Sequence, residues 1–327
     1  MQPKYNKCSA FSHMRDLGTA AKLSTMKQDR FDLTNLEWPT LALLVACYFA
    51  WGLATAFHES LGPVLLILIV APLVTLHSSL QHEALHGHPT RSAALNEALV
   101  FPPLGLLFPY RRFKSLHLRH HNDQTLTDPY DDPESFYYAA SDWGNLPAWL
   151  RKVLAFNNTF VGRFTIGPLV MLVGFVASEV RLIQKSERQV LRAWVNHLIG
   201  IAAVFAWTFL VCGIPVWLYV GIAYLGLSIL TIRTFAEHQA HEAAGGRSVI
   251  VEASPVFALL FLNNNLHYVH HAHPRVPWYD LPKLYRARKS EFLAANESYS
   301  FCGYGEMLRR YLFRTKSPVP HPYLRQG

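Results

Sequence analysis

Nine of the seventeen histidines fall into a few tight groups. His82 and His86 stand in HEALHGH, His117, His120 and His121 in HLRHH, and His267, His270 and His271 in HYVHH, with His238 apart in RTFAEH. On a helix, positions i, i+3 and i+4 share a face, so each run aims two or three imidazoles at one point. Neutral imidazole nitrogen binds iron, zinc, copper or nickel. Nine imidazoles exceed the six positions of an octahedral ion, which predicts two ions, each with four or five imidazoles and an open position.

The elements that must carry these groups are read from the apolar residues. The chain has 327 residues, 51% hydrophobic and only 16% charged. Thr40 to Phe57 and Leu61 to Leu80 carry no formal charge, and Ala193 to Ile232 runs forty residues without one, broken at Gly213 and Pro215. Each stretch approaches the ~20 residues that cross a ~30 Å hydrocarbon core. Core helices of a soluble protein show a polar face, and these do not. The spacing therefore predicts spans at about 41–57, 61–80, 196–212 and 215–232.

All thirty Lys and Arg lie outside the links around Glu59 and Gly213: six in residues 1–40, twelve between 79 and 192, twelve from Arg233 onward. By the positive-inside rule the basic segments face the cytoplasm, and every histidine group lies with them. The expected fold is an all-α integral membrane protein of four transmembrane helices in two hairpins, under a cytoplasmic helical cap that carries the histidines. Residues 1–40 form an N-terminal cytoplasmic or interfacial segment, 41–310 the membrane domain and 311–327 a Pro-rich, extended tail. Phe164 to Val180 is apolar enough for a further span, but an odd number of crossings between His121 and His238 would separate the groups. We read it as interfacial or part of the cap. Leu99 to Phe108, too short to span and holding Pro102 and Pro103, reads as re-entrant or interfacial.

The four cysteines, Cys8, Cys47, Cys212 and Cys302, form no CxxC spacing and support neither a disulfide framework nor an iron–sulfur cluster. The polar N-terminal segment has no signal-peptide core. No Gly-rich dinucleotide turn and no fused haem signature is present, so electrons for any redox chemistry come from outside. The net charge of +8 is expected to meet anionic lipid or an acidic carrier, not nucleic acid.

The order HxxxH, HxxHH, HxxHH with an isolated histidine after the last span resembles the membrane-bound fatty acid desaturase superfamily, from about Leu41 to Tyr285. The stretch Arg233 to His238 resembles the bacterial branch, which implies a bacterial inner membrane. The resemblance implies a di-iron centre that activates dioxygen against an unactivated alkyl chain. The implied ligands are His82, His86, His117, His120, His121, His238, His267, His270 and His271. It also implies a lipid or acyl substrate and a ferredoxin, rubredoxin or cytochrome as electron donor. Desaturation of a fatty acyl group is the expected reaction. Relatives with the same boxes hydroxylate alkanes, hydroxylate or ketolate carotenoids, or decarboxylate fatty acids. Some relatives carry an Asn four residues before the isolated histidine, where this chain has Thr234.

Other readings attach to the same residues. HEALH is also HExxH, the zinc-peptidase signature with Glu83 as general base, but that leaves seven of the nine clustered histidines without a role. A metal-transport protein would need a polar path, and only His58, His77 and His197 interrupt the spans. Glu83, Asp123, Asp128, Glu237 and Glu242 are candidates to orient imidazoles through their second nitrogen. Asp131, Asp132 and Glu134 are expected to form a turn. Asn265 is a candidate partner for a metal-bound water or a helix cap, and Trp278 and Tyr279 for packing over the site. His88 and His273 adjoin Pro89 and Pro274 and are read as non-ligands. His241 is read as surface or supporting, His77 as lining an entrance or buried within the bundle, and His13, His58, His197 and His321 as structural.

Overall fold

The computed structural model describes residues 36–122 and 125–323. The expected N-terminal segment 1–40 lies almost wholly outside these, as do Asp123, His13 and Cys8. Among the described residues ten α-helices precede the isolated histidine: α1 (Trp38–Ala56), α2 (His58–Leu85), α3 (Ala93–Leu99), α4 (Tyr110–Asn122), α5 (Ala140–Asn145), α6 (Ala148–Asn157), α7 (Phe160–Thr165), α8 (Gly167–Gln184), α9 (Arg188–Phe205) and α10 (Val216–Glu237). Five short ones follow: α11 (Pro255–Leu260), α12 (His267–Ala272), α13 (Leu281–Ala287), α14 (Lys289–Ala295) and α15 (Tyr304–Tyr311).

The two hairpins expected from the apolar runs are present. α1 and α2 join at Phe57, and α2 bends at Gly62, whose φ of 70° lies in the left-handed region, so its straight part begins at Pro63. Proline suits that position because the first helical N–H has no partner to lose. α9 ends in a π-helical turn, Ala206–Val211, and Gly213 (φ 75°) and Pro215 then reverse the chain into α10. Large apolar side chains such as Phe49, Leu68, Ile199, Leu210 and Val220 face outward from these helices. A contiguous apolar exterior of this kind needs lipid around it.

Five described helices are long and apolar enough to cross a membrane: α1, α2, α8, α9 with its π turn, and α10. The addition to the expected four is α8, over the Phe164–Val180 stretch. It is also the most peripheral, with only 17% of its apolar window buried in the protein.

α2 and α10 pack closely at Gly226. A Cβ there would lie 2.6 Å from Cγ1 of Val74 and 3.0 Å from the Ala71 carbonyl oxygen. Thr75 Oγ1 donates to the Gly226 carbonyl at 2.8 Å across the same contact. Small residues at such crossings let backbones close in where lipid offers no hydrophobic driving force. The contact fixes the spacing of the two helices whose C-terminal ends carry His82, His86 and His238.

The Leu99–Phe108 segment, expected to be re-entrant or interfacial, tucks into the helix bundle. Leu104 is fully buried among Val70, Val74, Val204 and Tyr219. Its carbonyl accepts from Tyr219 Oη at 3.0 Å, which itself accepts from Trp51 Nε1 at 3.0 Å, and His197 Nε2 donates to the Leu106 carbonyl at 2.8 Å. Non-helical backbone survives at such depth only when its polar groups are bonded by neighbours.

The all-α expectation is corrected at one place. Ile250–Val251 (β1) and Ser300–Phe301 (β2) pair in parallel. Two residues are too few to show alternation in sequence. The ladder forms because the chain after α14 returns beside buried Ile250 and Val251, giving their backbone groups partners they cannot find in water.

Candidate metal centre

Four elements bring the histidines to one end of the bundle. The last turn of α2 carries His82 and ends on His86 as its C-cap; α4 carries His117, His120 and His121. α10 ends on His238, whose backbone turns extended (φ −128°, ψ 149°), and α12 carries His267, His270 and His271. All nine sequence-selected histidines converge. They form two groups, His82/His86/His117/His121/His270 and His120/His238/His267/His271, whose potential ligand atoms lie within 4.8 Å of one another.

The division follows helix geometry. Each HxxHH box gives its i, i+4 pair to one group and its i+3 histidine to the other: His117 and His121 against His120, His267 and His271 against His270. At 3.6 residues per turn, i+4 points about 40° to one side of i and i+3 about 60° to the other. The two boxes thus interlock, each supplying both groups.

The inner nitrogens crowd together. His82 Nε2 lies 3.0 Å from His117 Nε2, and His121 Nε2 lies 3.0 Å from His117 Nε2 and 3.2 Å from His270 Nε2. In the second group His238 Nε2 lies 3.0 Å from His120 Nε2 and 2.9 Å from His267 Nε2, and His271 Nε2 lies 3.1 Å from His267 Nε2.

The outer nitrogens are committed elsewhere. His117 Nδ1 donates to Glu134 Oε1 at 2.8 Å and His120 Nδ1 to Asp132 Oδ1 at 2.7 Å. His267 Nδ1 donates to Asn264 Oδ1 at 3.0 Å, with Glu237 Oε1 behind it at 3.5 Å, and His238 Nδ1 faces the Arg247 carbonyl at 3.3 Å. Carboxylates and carbonyls only accept, so each of these rings carries a proton on Nδ1 and turns Nε2 inward.

The charges agree. Burial lowers the pKa of His238, His267, His270 and His271 well below the imidazole value, and neighbouring imidazoles lower it further. Burial and the same neighbours bring His121 down to about 3 and His86 to about 2. His120 is the exception: burial opposes its charge, but Glu134, Asp132 and Glu237 outweigh it and lift it to about 9.

Lone pairs of the neutral imidazoles His238, His267 and His271, directed at one another 2.9–3.1 Å apart, repel unless a cation lies between them. The residues therefore fit a metal ion in each group. A six-coordinate ion would keep one open position in the five-histidine group and two in the four-histidine group.

Two supporting residues escaped the sequence reading. Asp132 and Glu134, expected only to form a turn, do form one, since Asp132 accepts from the Thr127 and Glu134 amides. The same turn presents them to His120 and His117. The available signal was a run of carboxylates, DPYDDPES, soon after the second box. The amide at the site is Asn264, not Asn265. Asn265 Nδ2 donates to the Val251 carbonyl at 2.7 Å, whereas Asn264 Nδ2 lies 3.5 Å from His82 Nε2 while its oxygen holds His267. Asn264 thus touches both groups. Thr234 donates to the Thr231 carbonyl within its own helix.

The other carboxylate candidates divide. Glu237 stands behind His267 and pairs with Arg233 at 2.7 Å. Asp128 accepts from the Tyr130 and Asp131 amides in a turn, and Glu242 is exposed. Glu83 lies 3.8 Å behind His82 Nδ1 and accepts from the Trp278 amide at 3.1 Å, so it is turned away from the metal positions and unsuited to the zinc-peptidase role. Trp278 packs beside Leu80 and Ala84 near the first box. His88 binds Glu37, His77 binds Tyr48, His241 folds onto the Ala243 carbonyl and His273 caps α12.

Two nests of inward-facing imidazoles at the ends of long apolar helices define a histidine-box metalloprotein of the membrane type. The sequence matches the family described as fatty acid desaturase over residues 59–303, and the chain belongs to it as a desaturase-family, di-iron-type oxidoreductase. No curated protein matches the chain.

Proposed function

We propose that the chain is an oxygen-dependent fatty acyl desaturase. His82, His86, His117, His121 and His270 hold one iron, and His120, His238, His267 and His271 hold the other. The observation that carries this reading is the triple His120, His238 and His267, whose outer nitrogens are all committed to acceptors while their inner nitrogens meet at 2.9–3.0 Å. Iron bound there supplies the dioxygen chemistry that an unactivated C–H bond demands and no side chain offers.

The protein's own part is to position and to exclude water. Asp132, Glu134, Asn264 and Glu237 fix the ring orientations from behind. Six of the nine imidazoles are buried, which keeps water from the oxidant. The acyl chain reaches the irons from the hydrocarbon side, between cap and spans.

Four helices cross the membrane in this reading, and α8 lies along the interface. Support comes from His238 resting against His120: α9 and α10 already make an even number of crossings between them, and a crossing by α8 would make it odd. Glu179 near the end of α8 is bound by Arg112 of α4 and Trp194 of α9, which ties that end to the histidine-bearing side. The positive-inside pattern puts that side in the cytoplasm. Reducing equivalents come from an external acidic carrier (ferredoxin, rubredoxin or cytochrome), for which exposed Arg275, Lys283 and Arg286 lie just beyond the third box.

The test is expression of the chain in a host of known lipid content, with mass spectrometry of total acyl groups. A new acyl species lighter by two hydrogens supports the proposal. A species heavier by one oxygen, without the lighter one, makes the chain a hydroxylase.

A further inference from the structure

Beyond the family-matched region, the described chain as far as Tyr323 stays packed on the molecule. After α15 it doubles back as a strap across the four-histidine group. The Leu312 carbonyl accepts from the Val161 amide at 3.2 Å, and the Lys316 amide donates to the Asn158 carbonyl at 2.9 Å. Asn158 Nδ2 donates to the Ser317 carbonyl, and Tyr137 Oη donates to Ser317 Oγ at 3.0 Å. Tyr138 and the Val319–His321 stretch exchange two backbone bonds, at 3.0 and 2.8 Å.

The strap's one inward amine is Lys316. Its Nζ donates to the His238 carbonyl at 2.5 Å and lies 3.3 Å from Tyr299 Oη, and the rings of Phe136 and Phe235 stand 5.5 Å from it. His238 is the C-cap of α10, where the last helical carbonyls lack partners. Tyr299 Oη donates to the Ala236 carbonyl, the Val249 amide to Glu237, and Lys316 to His238. A basic side chain at a helix C-terminus is favourable both as donor and toward the dipole. Burial and the neighbouring Arg163 push the Lys316 amine down to about 7, and both of its forms keep N–H groups for the carbonyl.

We propose that Lys316 is a positioning residue for the four-histidine metal group: through the His238 carbonyl it sets the backbone from which the His238 imidazole reaches the metal. The inference rests on reading that group as a metal site. Because His238 belongs to one group alone, the loss of Lys316 acts on one ion and not on both.

The experiment uses the full chain in detergent, loaded with iron(II) or cobalt(II), with metal per chain and affinity measured by titration. H86A reports the four-histidine group and H120A the five-histidine group, each holding about one ion of the wild-type's two. Lys316→Met keeps the stem among the rings and removes the donors. K316M/H86A should bind its ion about 10–100-fold more weakly, with a changed cobalt spectrum, while K316M/H120A keeps its ion and K316R restores the first group. Unchanged affinity in K316M/H86A, equal loss in both backgrounds, or K316R behaving as K316M would each overturn the inference. If K316M cannot be extracted folded, Asn158→Ala, which releases Ser317, decides by the same comparison: weakening confined to the H86A background supports the strap's role, and no change refutes it. A wild-type chain that binds fewer than two metals would instead overturn the metal reading itself.

Discussion

His120 Nδ1 lies 2.7 Å from Asp132 Oδ1, and both side chains are almost fully buried. The carboxylate accepts a hydrogen bond from the ring's outer N–H, which holds the ring so that Nε2 faces His238. Such partners of ligating imidazoles are worth about 10–100-fold in metal affinity. Asp132→Ala is expected to weaken one metal by that factor, with Asp132→Asn intermediate because an amide oxygen can still accept. Metal titration of the purified variants checks this, and wild-type affinity in D132A would remove Asp132 from the site.

The split of the boxes makes a sharper forecast. His86→Ala and His120→Ala remove ligands from different groups. Each should abolish acyl oxidation, and each should leave about one metal ion per chain with membrane insertion intact. Full turnover by either variant contradicts the ligand assignment.

How much of this the residues announce can be followed at particular positions. The boxes are legible because i, i+3 and i+4 share a helix face. Gly213 and Pro215 mark a turn that forms where expected. The partition of His120 from His121 is not legible, because it depends on how α4 and α12 are rotated against each other. Asp132 and Glu134 are hidden because acidic turns are common and nothing in their spacing says that an imidazole lies above them. Asn264 and Asn265 are equivalent in sequence, and only the Val251 carbonyl, met through tertiary folding, separates them. The strap is invisible because Lys316 meets His238 from seventy-eight positions away.

Gly226 supports the site from a distance. Gly226→Leu would drive a side chain into Val74 and the Ala71 carbonyl, at a cost of about 1–3 kcal/mol for overpacking. The variant should melt at a lower temperature in detergent and hold less metal, since α2 and α10 carry ligands of both groups. An unchanged melting curve would show that the contact yields without consequence.

Metal removal separates fold from function. Chelation should leave the helical content intact, because the spans bury their own backbone bonds, yet abolish activity and lower the melting temperature. A ligand bound only by the folded state stabilises it, and stripping that ligand removes the gain. Iron(II) should restore activity. Restoration by zinc alone would contradict redox chemistry at this centre.

Metal analysis of the purified wild-type chain decides whether the nine imidazoles hold two irons. About two irons per chain are expected. A single zinc ion per chain, with iron absent after growth in iron-replete medium, would contradict the two-iron reading.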